Sequence, residues 1–415
     1  MKLFYSIGIY IASWVIKCAA LFNSKLNQGV KGRKQTFSKL KQAISPTDQT
    51  FWFHCASLGE YEQGLPVFEA LKQQYPHYKV VLSFFSPSGY EVRKDAKIAD
   101  IVVYMPLDTP SNAKTFLDLV HPNYTVFVKY EIWPNFLHEL KKRKLKAVLI
   151  SAVFRDNQAF FKWYGVYMKS ALLAFNHIFT QDENSKALLR NIGYTNTSVS
   201  GDTRFDRVSN QLDIDNRIDF IDTFKAQNRC VTFGSVWPED DKLYLDFINQ
   251  SITSDVKYII APHNIKPSYI ASLKAQLKVK TISYSELESA DHLEQYQVFI
   301  LDTIGYLSKA YSYADIAYVG GGAGATGLHN ILEPAVFGMP IIIGKNYEKF
   351  PEAKALITLG GVTSVATPEA FTNTLENLIN NDTVRQNQGD ITQTYIRSHR
   401  GAVHKIMAYF KASKA

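Results

Sequence analysis

The chain has little cysteine: Cys18, Cys55 and Cys230 are its three, and they lie far apart. That excludes a disulfide framework and zinc-finger spacing, and reads as reduced thiols in a cytoplasmic protein. It has no His/Asp/Glu spacing of a catalytic metal site, no G-x-S-x-G and no catalytic Ser-His-Asp order, so neither a metal nor a serine nucleophile is expected. Internal repeats and low-complexity segments are also missing. No RNP motif or long Arg-rich arm accompanies the net charge of +8 and pI near 9.0. Nucleic acid is therefore not an expected partner. The basic balance favours anionic lipid or phosphorylated substrates instead.

What is present is a folded composition, 46% hydrophobic and 20% charged, over 415 residues. That length exceeds one ordinary core and predicts two domains. The first residues, "LFYSIGIYIASWVIKCAALF" at 3–22, are about long enough to cross a bilayer as a helix. Lys17 sits near one end, where it can snorkel, and Lys25, Lys31, Arg33 and Lys34 follow. The positive-inside tendency puts the remainder at the cytoplasmic face of the membrane. A cleaved signal peptide is the competing reading of "CAA", but the positive charges lie on its wrong side.

After a polar stretch at 23–48, near-continuous apolar runs alternate with amphipathic segments. The runs are "FWFHCAS", "KVVLSFF", "IVVYMP", "YTVFVKY", "KAVLISAVF" and "HIFTQD" in the first half. "CVTFGS", "KYIIAPH", "VFILD", "IAYVGG" and "PIIIG" follow in the second. Such alternation predicts β-α-β units and parallel sheets covered on both faces. The pattern lapses at "SVSGDTRFDRVSNQLDID". The expected fold class is α/β: two Rossmann-like domains facing each other across a cleft, with an N-terminal membrane-associated helix. The boundaries are 1–22, 23–200 and 201–415. The final "TQTYIRSHRGAVHKIMAYF" reads as one long amphipathic helix.

Unusual residues gather at the strand ends, where such sheets bind ligands. Glu60 follows "HCASLG", Glu131 follows "TVFVKY", and Pro262 and His263 end "KYIIAPH". The run "GGGAGATGLHN" frees backbone for close approach to a ligand. Asn330 and Glu333 are one helical turn apart, so they can bind ribose hydroxyls together or form a capping box. Gly322, Gly324 and Gly327 match G-x-G-x-x-G, but the acid expected after the next strand is missing, which weakens a dinucleotide reading. Glu60 can serve as a general base if burial raises its pKa, or simply sit in a first helical turn. Arg204 can stabilise negative charge or be a surface arginine. His54, inside a strand, reads as a core residue.

In order along the chain, the hydrophobic N-terminus, "HCASLGE", "KYEIWPN", "SGDTRFD", "FGSVWPEDD", "APHNIKP" and "GGGAGATGLHNILEPAVFGMPIIIG" resemble the bacterial Kdo transferase family (3-deoxy-D-manno-octulosonic acid transferases of lipopolysaccharide synthesis). The resemblance implies a GT-B glycosyltransferase of the cell inner membrane that moves Kdo from CMP-Kdo to a lipid A precursor with inversion, without a cofactor. It implies Glu60 as the base, with Glu131 and Arg204 stabilising the transition state. It places CMP against Pro262, His263, Ile304, Gly305, Tyr306, Asn330, Ile331, Leu332 and Glu333. The family's usual "PRH" is "PHN" here, its "GxxKFD" lysine is Arg204, and its "GSTHEGEE" is "GSVWPEDD". A GT-B enzyme using a UDP-sugar, an epimerase or lipid-disaccharide synthase, is the competing enzyme reading. A non-catalytic tethered nucleotide-sugar-binding protein is the other.

Overall fold

The computed structural model describes residues 2–251 and 255–412. The chain divides into two compact units, Met1–Arg207 with Arg400–Ala415, and Val208–His399.

The first unit opens with the helix Lys2–Ala19. Leu3, Phe4, Tyr10, Ile11 and Trp14 on it are more than half exposed. Among the described residues it is the one helix long and apolar enough to cross a membrane. It stops before the end of the apolar run: Ala20–Phe22 turn, and the Asn23 side-chain oxygen accepts the N–H of Leu26, starting the helix Ser24–Ala43 inside the polar stretch. Seven strands follow: β1 (Thr50–Cys55), β2 (Lys79–Phe84), β3 (Ile101–Tyr104), β4 (Tyr124–Val128), β5 (Lys146–Ala152), β6 (His177–Thr180) and β7 (Thr197–Val199). They form one parallel sheet in the order β3-β2-β1-β4-β5-β6-β7.

Every residue of β1 and β4 is buried. Alternation along β1 sends Trp52 into one apolar layer, with Phe116, Phe127 and Phe136, and Phe51 and Phe53 into the other, with Phe68 and Tyr75. Helices cover both faces, as continuous apolar strands require.

The second unit repeats the plan with β8 (Arg229–Val236), β9 (Val256–Pro262), β10 (Thr281–Ser283), β11 (Val298–Ile300), β12 (Ile316–Val319), β13 (Ile341–Gly344) and β14 (Val362–Val365). The sheet is again parallel, in the order β10-β11-β9-β8-β12-β13-β14.

The long C-terminal helix expected from the sequence is two helices, Asp382–His399 and Ala402–Ala412. The chain breaks at Gly401, whose φ of +106° suits glycine. The Asp206 carboxylate accepts the N–H groups of Gly401 and Ala402 at 2.8 and 3.0 Å, capping the second helix. That helix buries Ile406, Met407 and Phe410 in the first unit's core, so Arg400–Ala415 joins the first unit and not the second.

Candidate active site

In the first unit the strand-end acids come together. β1 ends at Cys55, and Ser57 caps the helix Leu58–Gln74. Glu60, 6% exposed, turns back to accept the backbone N–H groups of Ala56 and, at 3.2 Å, Ser57. Burial and the Glu131 carboxylate push Glu60 up to about 7, against those two N–H groups and Lys129. Glu131, also buried, accepts the Trp133 indole N–H at 2.9 Å. Its Oε2 lies 3.4 Å from His54 Nε2. Lys129, just before it, holds φ at +66°, and Ser151 at the end of β5 holds +52°. Left-handed backbone at non-glycine residues is costly and concentrates where a loop is fixed for function.

The Arg204 side chain is 35% exposed but is not an isolated cation. Its Nε and Nη2 both meet Asp202 Oδ2 at 2.8 Å. Asp202 Oδ1 accepts Gln63 Nε2 at 2.8 Å, and Gln63 lies on the helix that carries Glu60. Arg204 is thus tied through Asp202 to the helix that carries Glu60. Asp202 and Gln63 escaped the sequence reading because Gln63 is 139 residues from its partner.

The loop after Glu131 is anchored by another acid that the sequence did not reveal. Asp108 is fully buried and accepts the N–H groups of Asn135 and Phe136 at 3.0 Å and the Tyr5 hydroxyl at 2.8 Å. Burial pushes it up to about 6 against those donors.

The second unit treats its predicted residues unevenly. Asn330 Nδ2 donates to Glu333 Oε1 at 3.2 Å, and Ser308 donates to Glu333 Oε2 at 3.0 Å. The short helix Leu332–Ala335 is preceded by Ile331 as its cap, so the capping-box alternative does not form. Asn330 is exposed and Glu333 partly so, while Ile331 and Leu332 are buried. Tyr306 packs its ring 5.3 Å from Phe220 and from Tyr284. Gly305 (φ +101°) and Ile304, 88% exposed, are at the surface beside it.

Pro262 is buried at the end of β9. His263 packs against both Trp237 and His329, with ring centroids 4.7 and 4.3 Å away, while those two rings lie nearly in one plane. Trp237 Nε1 donates to His329 Nε2 at 2.9 Å. Burial lowers both histidines, His329 to about 4, so both are neutral at pH 7.

The glycine run serves backbone contact within the protein. A Cβ at Gly320 would strike the Ser235 carbonyl and Asp240, and one at Gly344 would strike Gly322 and Ala323. Asp240 organises this loop, accepting from Trp237 N (2.8 Å), Gly321 N (2.9 Å) and the Tyr318 hydroxyl (2.7 Å). The sequence showed Asp240 only as part of an altered motif.

Solved structures with this architecture include UDP-GlcNAc 2-epimerase from Neisseria meningitidis bound to UDP-GlcNAc (TM-score 0.61, 15% identity, covering 88% of this chain and 100% of that one). MurG of Acinetobacter baumannii is another (TM-score 0.56, 12% identity, 88% and 99%). The fold is GT-B-like. The family model described as 3-deoxy-D-manno-octulosonic-acid transferase (kdotransferase) matches residues 29–207. The 3-deoxy-D-manno-octulosonic acid transferase of Haemophilus influenzae is 28% identical over 99% of this chain and 98% of its own. That of Chlamydophila psittaci is 27% identical over 78% and 76%. Over nearly its full length the chain is similar to a Kdo transferase, a glycosyltransferase class, and residues 29–207 match that family's model.

Proposed function

We propose that the chain transfers Kdo from CMP-Kdo to a lipid A precursor, lipid IVA, with inversion, at the cytoplasmic face of the cell inner membrane. The observation that carries this reading is Glu60, a buried carboxyl raised to about 7 beside a second buried acid. A base poised near the working pH is suited to take a proton from a sugar hydroxyl.

In this reading the acceptor hydroxyl gives its proton to Glu60 as its oxygen bonds to the anomeric carbon of Kdo. The bond from that carbon to the CMP phosphate breaks, and its electron pair leaves with CMP. Glu131 stabilises the oxocarbenium-like centre, and Arg204, held by Asp202, faces the developing negative charge. The nucleotide is assigned to the second unit, with Pro262, His263, Ile304, Gly305, Tyr306 and Asn330 through Glu333. Glu333, oriented by Asn330 and Ser308, accepts ribose hydroxyls in this reading. His263, neutral at pH 7, offers stacking or a hydrogen bond rather than charge. Lys2–Ala19 is the membrane element, as a span or an interfacial helix, next to anionic lipid.

The test is incubation of the full chain with CMP-Kdo and lipid IVA in detergent or membranes. CMP release and a Kdo-lipid product are expected. Turnover of a UDP-sugar without CMP-Kdo turnover, or unchanged activity in Glu60→Ala, overturns the reading.

A further inference from the structure

We infer that His54 is a positioning residue for Glu131, presenting an Nε2–H to its carboxylate at the end of a hydrogen-bond relay that begins at Trp52. The inference rests on the role proposed above for Glu131.

His54 has no solvent exposure. Alternation along β1 places it on the same face as Trp52, among rings: Phe127 at 5.6 Å, Trp133 at 5.8 Å and Trp52 at 6.3 Å between centroids. A buried imidazole needs partners for both nitrogens. Nδ1 has Ser83 Oγ at 2.9 Å. Nε2 is buried without a hydrogen-bond partner, and the Glu131 Oε2 it faces is 3.4 Å away.

The Trp52 indole N–H can only donate, and it reaches Ser83 Oγ at 2.8 Å. Ser83 has one proton to give, to His54 Nδ1 at 2.9 Å or to the Phe53 carbonyl at 3.4 Å. The acid opposite Nε2 selects between them: a nitrogen lone pair aimed at a carboxylate oxygen 3.4 Å away is repelled, so we place the imidazole proton on Nε2, with Nδ1 accepting from Ser83. Trp133 Nε1 donates to the same Oε2 at 2.9 Å. The Trp133 hydrogen bond and the His54 Nε2–H facing the same oxygen from 3.4 Å hold the side chain in one orientation, leaving Oε1 for chemistry.

The charged and titratable groups beside this acid are Glu60, Lys129 and the Cys55 thiol. The thiol is kept protonated by burial and by both carboxylates.

The experiment compares His54→Leu, His54→Gln and Glu131→Gln in the full chain, with kcat/KM for CMP-Kdo and lipid IVA measured from pH 5.5 to 9. His54→Leu is expected to lose about 10- to 100-fold at pH 7, the scale seen when an orienting partner is removed. His54→Gln keeps an N–H toward Glu131 and should recover most of the loss. In the Glu131→Gln background, His54→Leu should cost little more. If Glu131→Gln keeps wild-type activity, the role of Glu131 fails. If Glu131→Gln is impaired while folded His54→Leu keeps the wild-type rate, the positioning role alone fails. Should His54→Leu not fold, ¹⁵N NMR of the native imidazole decides: a protonated Nε2 is expected, and a protonated Nδ1 overturns the inference.

Discussion

Glu60 and Asp240 occupy equivalent places in the two units. Each follows the first strand of its sheet, stands in the first turn of the next helix, and reaches back to a backbone N–H before that helix. Burial pushes both above the usual carboxylate range. The difference lies in their company. Asp240 adds the Tyr318 hydroxyl and Gly321 N–H to its own Trp237 N–H, and no carboxylate is the main disturbance. Glu60 has only two backbone donors, and its second-largest perturbation is another acid, Glu131. One device, a carboxylate folded over a helix start, becomes a structural tie where donors outnumber its needs. In the proposed function it becomes a reactive group where they fall short and a like charge stands close.

The comparison breaks most visibly if the two acids exchange symptoms. Glu60→Gln should lower kcat/KM by about 10²- to 10⁴-fold, the usual range for a lost general base, with the thermal midpoint nearly unchanged. Because the base must be ionised, kcat/KM of the native chain should climb as pH rises through about 7 and level off above it. A pH-independent rate between 5.5 and 8.5 would remove Glu60 from the chemistry.

Asp240→Ala should do the reverse. It orphans the buried Tyr318 hydroxyl and the Gly321 N–H, each costing about 1–3 kcal/mol. A loss of roughly 2–5 kcal/mol is expected in chemical denaturation of the second unit, with turnover impaired through loss of the glycine loop. A stable Asp240→Ala with selective loss of catalysis would erase the distinction.

The same contrast sharpens at Arg204. Arg204→Lys keeps a charge but cannot reproduce the paired Nε and Nη2 contacts to Asp202. A loss of about tenfold in kcat is expected, with KM for CMP-Kdo within about threefold. An unchanged kcat would leave Arg204 only a tie to the Glu60 helix.

Much of the fold was legible because its central strands are buried on both faces and therefore read as uninterrupted apolar runs: β1, β4, β8 and β9 are examples. The strands that escaped, β7, β10 and β14, are all sheet edges of three or four residues. An edge strand has one paired side and partial cover, so "TSV" and "VTSV" carry no distinctive pattern. Glu60 and Glu131 were legible as acids at strand tips. What could not be read were partners far along the chain, such as Gln63 with Asp202, and the direction a buried polar ring faces. His54 sits in the apolar alternation of β1 exactly where a core residue would, and only Ser83 and Glu131, 29 and 77 residues away by number, give its nitrogens a purpose.

The smallest expected effect concerns Asp108, which resembles Asp240 in function but sits in the first unit. Its folded pKa of about 6 lies above the ordinary aspartate value, so the ionised form is the costly one. Its contribution to stability is therefore most favourable below about pH 4 and is lost as pH rises through about 6. Tyr5, on the apolar N-terminal helix, offsets part of that cost by donating at 2.8 Å to the carboxylate. Tyr5→Phe removes this donor, so it should destabilise by about 1 kcal/mol at pH 7 and by less at pH 4. Hydrogen exchange at the Asn135 and Phe136 amides, both bound to Asp108, reads the difference locally. Faster exchange at pH 7 would show that the apolar helix steadies the loop carrying Glu131. Equal protection in both proteins would mean that the helix is held by its apolar contacts alone, and that Asp108 needs only its two backbone donors.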